Sequence, residues 1–85
     1  MSRALIAEWR TVKAADWPVV VEEWRVRRDA LAASHCHYWI FASPDAPERV
    51  LEFTEARDAA TLRAGRASAG LGEGNELILT EVELG

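Results

Sequence analysis

The chain has 85 residues, of which 49% are hydrophobic and 28% are charged, and its net charge at pH 7 is −4. This length gives room for one domain, so we assign residues 1–85 to a single domain. The acidic balance argues against a nucleic-acid partner, and the short apolar runs argue against a membrane span. The absence of a signal-peptide pattern predicts a cytoplasmic location.

The first two elements are predicted to be a strand and an amphipathic helix. Residues 4–12 alternate imperfectly and carry apolar side chains on both faces, which is typical of a strand covered on both sides. Asp16 is a suitable N-cap, and Pro18 falls in the first turn of the helix. The helix should place on the sheet an apolar stripe formed by Trp17, Val20, Val21, Trp24 and Leu31.

The same helix carries acidic residues before basic ones, an order that suits the helix dipole. Glu23 and Arg27 have the spacing of a favourable i,i+4 pair. We interpret Arg25, Arg27 and Arg28 as a solvated face, with an anion-binding patch as the alternative.

A β-hairpin follows. His35 to Ala42 is rich in aromatic and β-branched residues, so it is predicted to be a strand. Its alternation places His35, His37, Trp39 and Phe41 on one face, and it places Cys36, Tyr38, Ile40 and Ala42 on the other. Residues 43–47 have the composition of a turn, and residues 50–55 return as the partner strand. We expect its Leu51 and Phe53 to point inward, and Cys36 to be a small core residue.

The last elements are a short helix and a strand. Asp58 can cap a helix whose Ala59, Leu62 and Arg66 share a face, and Gly65 should weaken its final turn. A glycine-rich loop over residues 70–75 leads to a strand over residues 76–84. The resulting order, βαββαβ, predicts an α+β ferredoxin-like fold with a four-stranded antiparallel sheet. Because both sheet faces are apolar, we expect a homodimer through the sheet.

Two histidines are the candidate catalytic residues. His35 and His37 are two positions apart on one strand, so their imidazoles can face the same space. Two ligands do not make a metal site, so we predict no metal. One histidine can serve as an acid or base in a pocket, and the alternative is a structural role near the dimer seam.

The candidate ligand-binding residues are aromatic: Trp9, Trp24, Tyr38 and Trp39. If Trp9 and Trp39 face inward, they converge with Trp24 between the sheet and the helices, where an aromatic-walled cavity suits a flat apolar ligand. The alternative is that the tryptophans only fill the core.

The stretch from Tyr38 to Leu62 resembles the central hairpin and second helix of the antibiotic biosynthesis monooxygenase-like family. The shared features are an aromatic strand, the Ser-Pro-Asp turn at 43–45, the Phe-x-Glu strand at 53–55 and the helix capped by Asp58. The resemblance implies a dimeric α+β barrel in which two sheets pack face to face and each subunit keeps a cavity between its own sheet and helices.

Some members of this family oxygenate polycyclic aromatics without a cofactor, and others degrade haem. The haem-degrading activity is disfavoured here, because no asparagine precedes Asn75 and Gly65 stands where those members have a histidine. Ala56 also replaces a common aromatic residue. We therefore expect a homodimer that binds a small apolar or aromatic molecule and acts as a cofactor-independent monooxygenase, with His35 or His37 as the base. The alternative is a non-catalytic dimerisation or ligand-sensing module.

Overall fold

The computed structural model describes residues 3–71 and 77–85. Its four strands form one antiparallel sheet in the order β2-β3-β1-β4, with both helices on one face. The elements in chain order are β1 (Ala4–Thr11), a 3-10 turn (Ala14–Asp16), α1 (Trp17–Ala32), β2 (His37–Ser43), β3 (Ala46–Ala56), α2 (Ala59–Ser68) and β4 (Leu79–Thr80). The predicted α+β ferredoxin-like fold with βαββαβ order is confirmed. Neither helix of the described residues is long and apolar enough to span a bilayer.

The helix-facing side of the sheet carries the core, which is divided into two apolar clusters. One cluster lies mainly beneath α2 and the other beneath the first part of α1. Their buried members are Ala4, Ile6, Leu31, Cys36, Ala56 and Leu62 in the first, and Val12, Val20, Trp24 and Val50 in the second. The predicted stripe of α1 is confirmed, since Val20, Trp24 and Leu31 are its buried residues. Cys36 is buried, as expected of a core residue, and burial raises the pKa of its thiol.

The opposite side of the sheet, which we call the open face, is covered by neither helix. Trp9, Trp39 and Phe41 on this face are 62%, 45% and 55% exposed. Cross-strand pairs such as Trp9 with Leu51 and Trp39 with Phe53 place their side chains on the same face. The apolar members of the open face are Leu5, Ala7, Trp9, Trp39, Phe41, Leu51, Phe53 and Leu79.

The expectation that Leu51 and Phe53 point toward the helices was wrong. The residues of β3 that are buried beneath the helices are Val50, Glu52, Thr54 and Ala56. Two of these are polar, so hydrophobicity alone selected the wrong face. The Glu52 carboxylate is tolerated there because Arg27 and Tyr38 donate hydrogen bonds to it.

Two buried-side carboxylates on neighbouring strands face each other, and we call Glu8 and Glu52 the carboxylate pair. They are directly opposite in the β1–β3 register. Arg27 of α1 donates to Glu52 with 2.8 Å between Nη1 and Oε1, and Arg66 of α2 donates to Glu8 with 3.0 Å between the same atom types. Each helix therefore provides one guanidinium to neutralise one of two like charges that would repel each other.

The predicted pair between Glu23 and Arg27 gives way to contacts with the sheet. Glu23 accepts a hydrogen bond of 2.6 Å from Arg10 of β1, and this bond lowers the pKa of the Glu23 carboxyl. Arg27 turns to Glu52 instead. Arg25 and Arg28 remain on the solvated face as expected, but Arg27 does not, because the buried carboxylate of Glu52 attracts it more than an exposed one.

The end of α1 corrects the predicted start of the hairpin. Cys36 N–H donates to Leu31 O and His35 N–H donates to Ala32 O, the two bonds of a Schellman motif. His35 occupies the left-handed position of this motif with φ of 62°, so it belongs to the helix cap and β2 begins at His37. Glycine usually holds this position, so a histidine here left the end of the helix unpredicted.

The remaining turns follow their predicted chemistry in most places. Residues 44 and 45 form the hairpin turn, and the Asp58 side chain caps α2 by accepting from Thr61 N–H at 2.7 Å. Asp16 precedes α1 but makes no side-chain capping bond. Residues 72–76 of the predicted loop and last strand lie outside the described residues. The predicted last strand was too long: β4 spans only Leu79 and Thr80, which pair with Leu5 and Ala4, and one further bond runs from Glu81 N–H to Arg3 O.

Gly65 lets α2 approach the hairpin closely. A Cβ added at this position would lie 2.4 Å from Cys36 Sγ and 3.4 Å from Ser34 Cβ. Glycine is a poor helix former at position 65, as predicted, but a larger residue would collide with the Cys36 side chain.

We expect Gly65→Ala to destabilise the protein by ~1–3 kcal/mol through overpacking, although alanine is the better helix former. In a Cys36→Ala background the same change should stabilise by up to ~1 kcal/mol, because the sulfur is gone. Urea unfolding of the four proteins of this cycle, at one protein concentration, measures both effects. Additive free energies of unfolding would contradict the close contact.

Candidate functional site

The candidate site is a groove between α1 and the edge strand β2. It has a volume of about 300 Å³, at the lower end of the range for small-molecule pockets. We call it the α1–β2 groove, and its lining residues are Val21, Trp24, Arg25, Arg28, Tyr38, Trp39 and Ile40. The alternation of β2 presents Tyr38 and Ile40 toward the helix, and the edge position lets Trp39 contribute from the other face.

Tyr38 connects the groove to the buried charges of the sheet. Its hydroxyl donates to Oε1 of Glu52, which also accepts from Arg27. Glu52 is only 5% exposed, and Arg10 Nη1 lies 3.9 Å from its second oxygen. Burial, followed by the hydrogen bond and charge of Glu52, raises the pKa of Tyr38. The phenol therefore stays protonated at neutral pH and can act toward a ligand as a fixed polar group, not as a base.

A second polar group beside the groove has no partner. Trp24, a lining residue, is buried, and its indole N–H is a buried donor without a hydrogen bond in the part of the chain that the structure describes. An unsatisfied buried donor lowers stability. The Trp17 ring packs edge-on against the Trp24 ring with centroids 5.4 Å apart and holds it in place.

The structure brings together three of the four predicted ligand-binding residues. Trp24, Tyr38 and Trp39 all line the groove, whereas Trp9 does not. Trp9 lies on the open face, and the guanidinium carbon of Arg49 lies over it, 4.6 Å from the centroid of the Trp9 ring. The predicted convergence of Trp9 and Trp39 between the sheet and the helices was wrong. Both tryptophans are exposed and alternate along their strands with less exposed residues on the helix-facing side, so they face away from the helices.

The predicted catalytic histidines lie outside the groove. His35 and His37 line a separate recess of about 360 Å³ with Arg3, Glu55 and Arg57. The His37 ring nevertheless stacks on Trp39, a groove residue, with centroids 5.6 Å apart and planes 7° from parallel. The Trp39 ring therefore separates His37 from the groove, whereas His35 is held in the cap of α1.

No group of three or more histidine, cysteine or acidic side chains within residues 3–71 and 77–85 is arranged to hold a metal ion. The chemistry that the described residues offer at the groove is an apolar aromatic wall, a phenol and two arginines.

Sequence reasoning missed several residues of this site. Glu52 was not singled out as a site residue, although it shares a strand face with Val50 and Thr54, and Arg27 was considered only as part of a surface patch that could bind an anion. A signal was present in β2: once Cys36 is assigned to the core, Tyr38 must face the same way. A polar partner for that phenol on the neighbouring strand then becomes an expectation.

The comparisons with known proteins match this chain only at the level of structure. No protein-family model and no curated protein matches it. One similar structure is named "Putative antibiotic biosynthesis monooxygenase from Nitrosomonas europaea"; it is 14% identical, with a TM-score of 0.58 over 98% of this chain and 90% of that one. A protein of the same name from Bordetella bronchiseptica is 16% identical, with a TM-score of 0.52 over 99% of both chains.

These likenesses confirm the resemblance found in the hairpin as a resemblance of fold. The chain has the α+β ferredoxin-like architecture of two proteins that carry that family's name. Because the identity is low, the likeness extends to the arrangement of the backbone and not to any residue of a site.

Tyr38 is the one tyrosine of the chain, so ultraviolet absorbance reports its ionisation alone. We expect the native protein to resist tyrosinate formation at pH ~10, where the urea-unfolded chain titrates. Because the folded-state pKa is raised, the contribution of Tyr38 to stability is complete below pH ~10 and is lost as the pH rises through the folded-state pKa.

Glu52→Gln removes the neighbouring negative charge and should move the Tyr38 titration back toward its ordinary range. Glu48→Gln, an exposed position on the same strand, is the matched control and should leave it unchanged. A native titration that is the same in Glu52→Gln as in the wild type would show that Glu52 does not contribute to the raised pKa of Tyr38.

Proposed function

We propose that this protein is a homodimer that buries its open face against a second copy and binds a flat, largely apolar or aromatic molecule in the α1–β2 groove. The observation that carries the binding proposal is the meeting of Trp24, Tyr38 and Trp39 in one groove. The names of the two similar structures suggest oxygenation as the activity at such a site.

The dimer proposal is supported by the composition of the open face. Large apolar side chains are rarely exposed together on a monomer, because their burial is worth ~25 cal/mol per Å² of apolar area. Phe41 and Phe53 pack edge to face with centroids 5.5 Å apart, so the face is ordered before any partner arrives. A surface of this kind is self-complementary about a two-fold axis.

The binding proposal is supported by the shape and chemistry of the groove. Aromatic rings on its walls provide stacking and edge contacts for a planar ligand. The Tyr38 hydroxyl is held in one orientation by Glu52 and offers a fixed polar point. Such a combination of apolar wall and few polar groups is typical of small-molecule sites.

In the oxygenation proposal, His37 is the candidate base because its ring stacks on Trp39 at the groove. The base removes a proton from an activated CH₂ group of a phenolic ligand, and the carbanion reduces dioxygen. The CH₂ group becomes a carbonyl, one oxygen atom enters the product and the other leaves as water, so the substrate supplies all four electrons. The rival proposal is a non-catalytic module that dimerises or senses a ligand with the same groove.

We expect the wild-type chain to sediment at twice its mass of 9.5 kDa, and Phe41→Lys to sediment as a monomer. A lysine at this position of the open face would leave a buried charge without a partner in the dimer. Val19→Lys is the matched control, because Val19 is also an exposed apolar residue but lies on α1, away from the open face. A monomeric wild type, or a dimeric Phe41→Lys protein, would refute this interface.

We expect neutral fused-ring aromatics such as 2-naphthol to quench tryptophan fluorescence on binding. Val21→Gln places an amide in the groove and should weaken that binding about tenfold, the effect of removing one buried valine. Val26→Gln, on the exposed side of the same helix, should bind like wild type. Equal affinity in all three proteins would place the ligand elsewhere.

Oxygen uptake with anthrone-type substrates separates the enzyme from the sensing module. An oxygenase consumes dioxygen with these substrates and slows when His37 becomes alanine. Binding without oxygen uptake favours the ligand-sensing role, and uptake unchanged in His37→Ala removes His37 as the base.

A further inference from the structure

We infer that the ligand of the α1–β2 groove is an aromatic anion, whose ring lies on the apolar wall and whose carboxylate or similar group is bound by Arg25 and Arg28. This inference rests on the proposed binding function and narrows it to one chemical class. The two arginines become the specificity-determining residues of the site.

The lining of the groove is unbalanced in charge. It contains two arginines and no acidic residue, in a chain whose net charge is −4. Arg25 and Arg28 are three positions apart on α1, so they project from the same side of the helix, one turn apart. The acidic residues next to them, Glu22 and Asp29, do not line the groove.

The present partners of the two arginines are weak competitors for a ligand. Arg25 Nη1 lies 3.1 Å from Glu22, and Arg28 Nε lies 3.1 Å from Asp29, and all four side chains are more than half exposed. Ion pairs that are open to water contribute little. A guanidinium has five N–H donors in a planar fork, so each arginine can keep its present bond and still donate to a carboxylate.

The buried charges beneath the groove do not oppose an anion. Glu52 is the nearest buried carboxylate, and it is neutralised by Arg27 at 2.8 Å with Arg10 at 3.9 Å from its other oxygen. Tyr38 directs its proton toward Glu52 and not toward the groove. The positive charge at the rim is therefore not cancelled from below.

The aromatic part of the ligand has its own wall. Trp24, Trp39 and Ile40 line the groove beside the arginines. A planar ring with a carboxylate at one end matches this order of apolar wall and charged rim. A neutral ring would use the wall alone, and a small inorganic anion would use the rim alone.

The test compares three probes that share one ring: 2-naphthoate, its neutral analogue 2-naphthamide, and the cation 2-naphthylmethylammonium. Affinities are measured by tryptophan quenching and calorimetry on the full chain. We expect 2-naphthoate to bind about tenfold more tightly than 2-naphthamide, the gain from charge-assisted hydrogen bonds at a partly exposed site, and the cation to bind most weakly. Added salt should weaken the binding of 2-naphthoate only.

The variant Arg25→Gln/Arg28→Gln should reduce the affinity for 2-naphthoate to that for 2-naphthamide and leave the latter unchanged. The corresponding double lysine variant should restore part of the preference, because it keeps the charge and loses the fork. Arg63→Gln, an exposed arginine on α2, is the matched control and should behave as wild type.

Each outcome decides the inference. Equal affinities for the anion and the amide, with both weakened by Val21→Gln, would overturn the anion preference and leave aromatic binding in the groove intact. An anion preference that survives the double glutamine variant would overturn the role of the two arginines. If none of the probes binds, the proposed function and this inference both fail.

Discussion

The placing of two carboxylates side by side on the sheet is the constraint on which the rest of this structure depends. Glu8 and Glu52 face each other across β1 and β3, on the side where the helices pack. Two such charges repel each other, and they lose water when the helices cover them. One guanidinium from each helix, Arg27 of α1 and Arg66 of α2, compensates for this. The position of each helix over the sheet is therefore fixed by an ion pair as well as by apolar packing.

The groove lies beside this arrangement. α1 packs against the edge strand β2, and its Arg27 reaches past that strand to Glu52 of β3. Tyr38 lies at the boundary, where its phenol joins the buried carboxylate and its ring lines the groove. The same turns of α1 that supply Arg27 also supply Arg25 and Arg28 to the rim. Charge balance within the fold and the chemistry of the candidate site thus come from one stretch of helix.

The two faces of the sheet differ in the polarity of their side chains. The helix-facing side mixes apolar clusters with paired charges, and the open face is dominated by aromatic and aliphatic side chains. The two similar structures share this backbone arrangement at 14% and 16% identity, so the architecture tolerates almost complete replacement of its side chains. Function must therefore be argued from the side chains of this chain.

The sequence by itself determined the order of elements, the apolar stripe of α1, the hairpin turn and the cap at Asp58, because each depends on residues close together in the chain. It also indicated that both sheet faces are apolar. Only the tertiary structure decided which face the helices cover, since Glu52 looks like a solvent-facing residue until its partners Arg27 and Tyr38 are known. The separation of Trp9 from Trp24 follows from that choice of face. A strand sends alternate side chains to opposite sides, so once Glu8 faces the helices, the neighbouring Trp9 must face away from them.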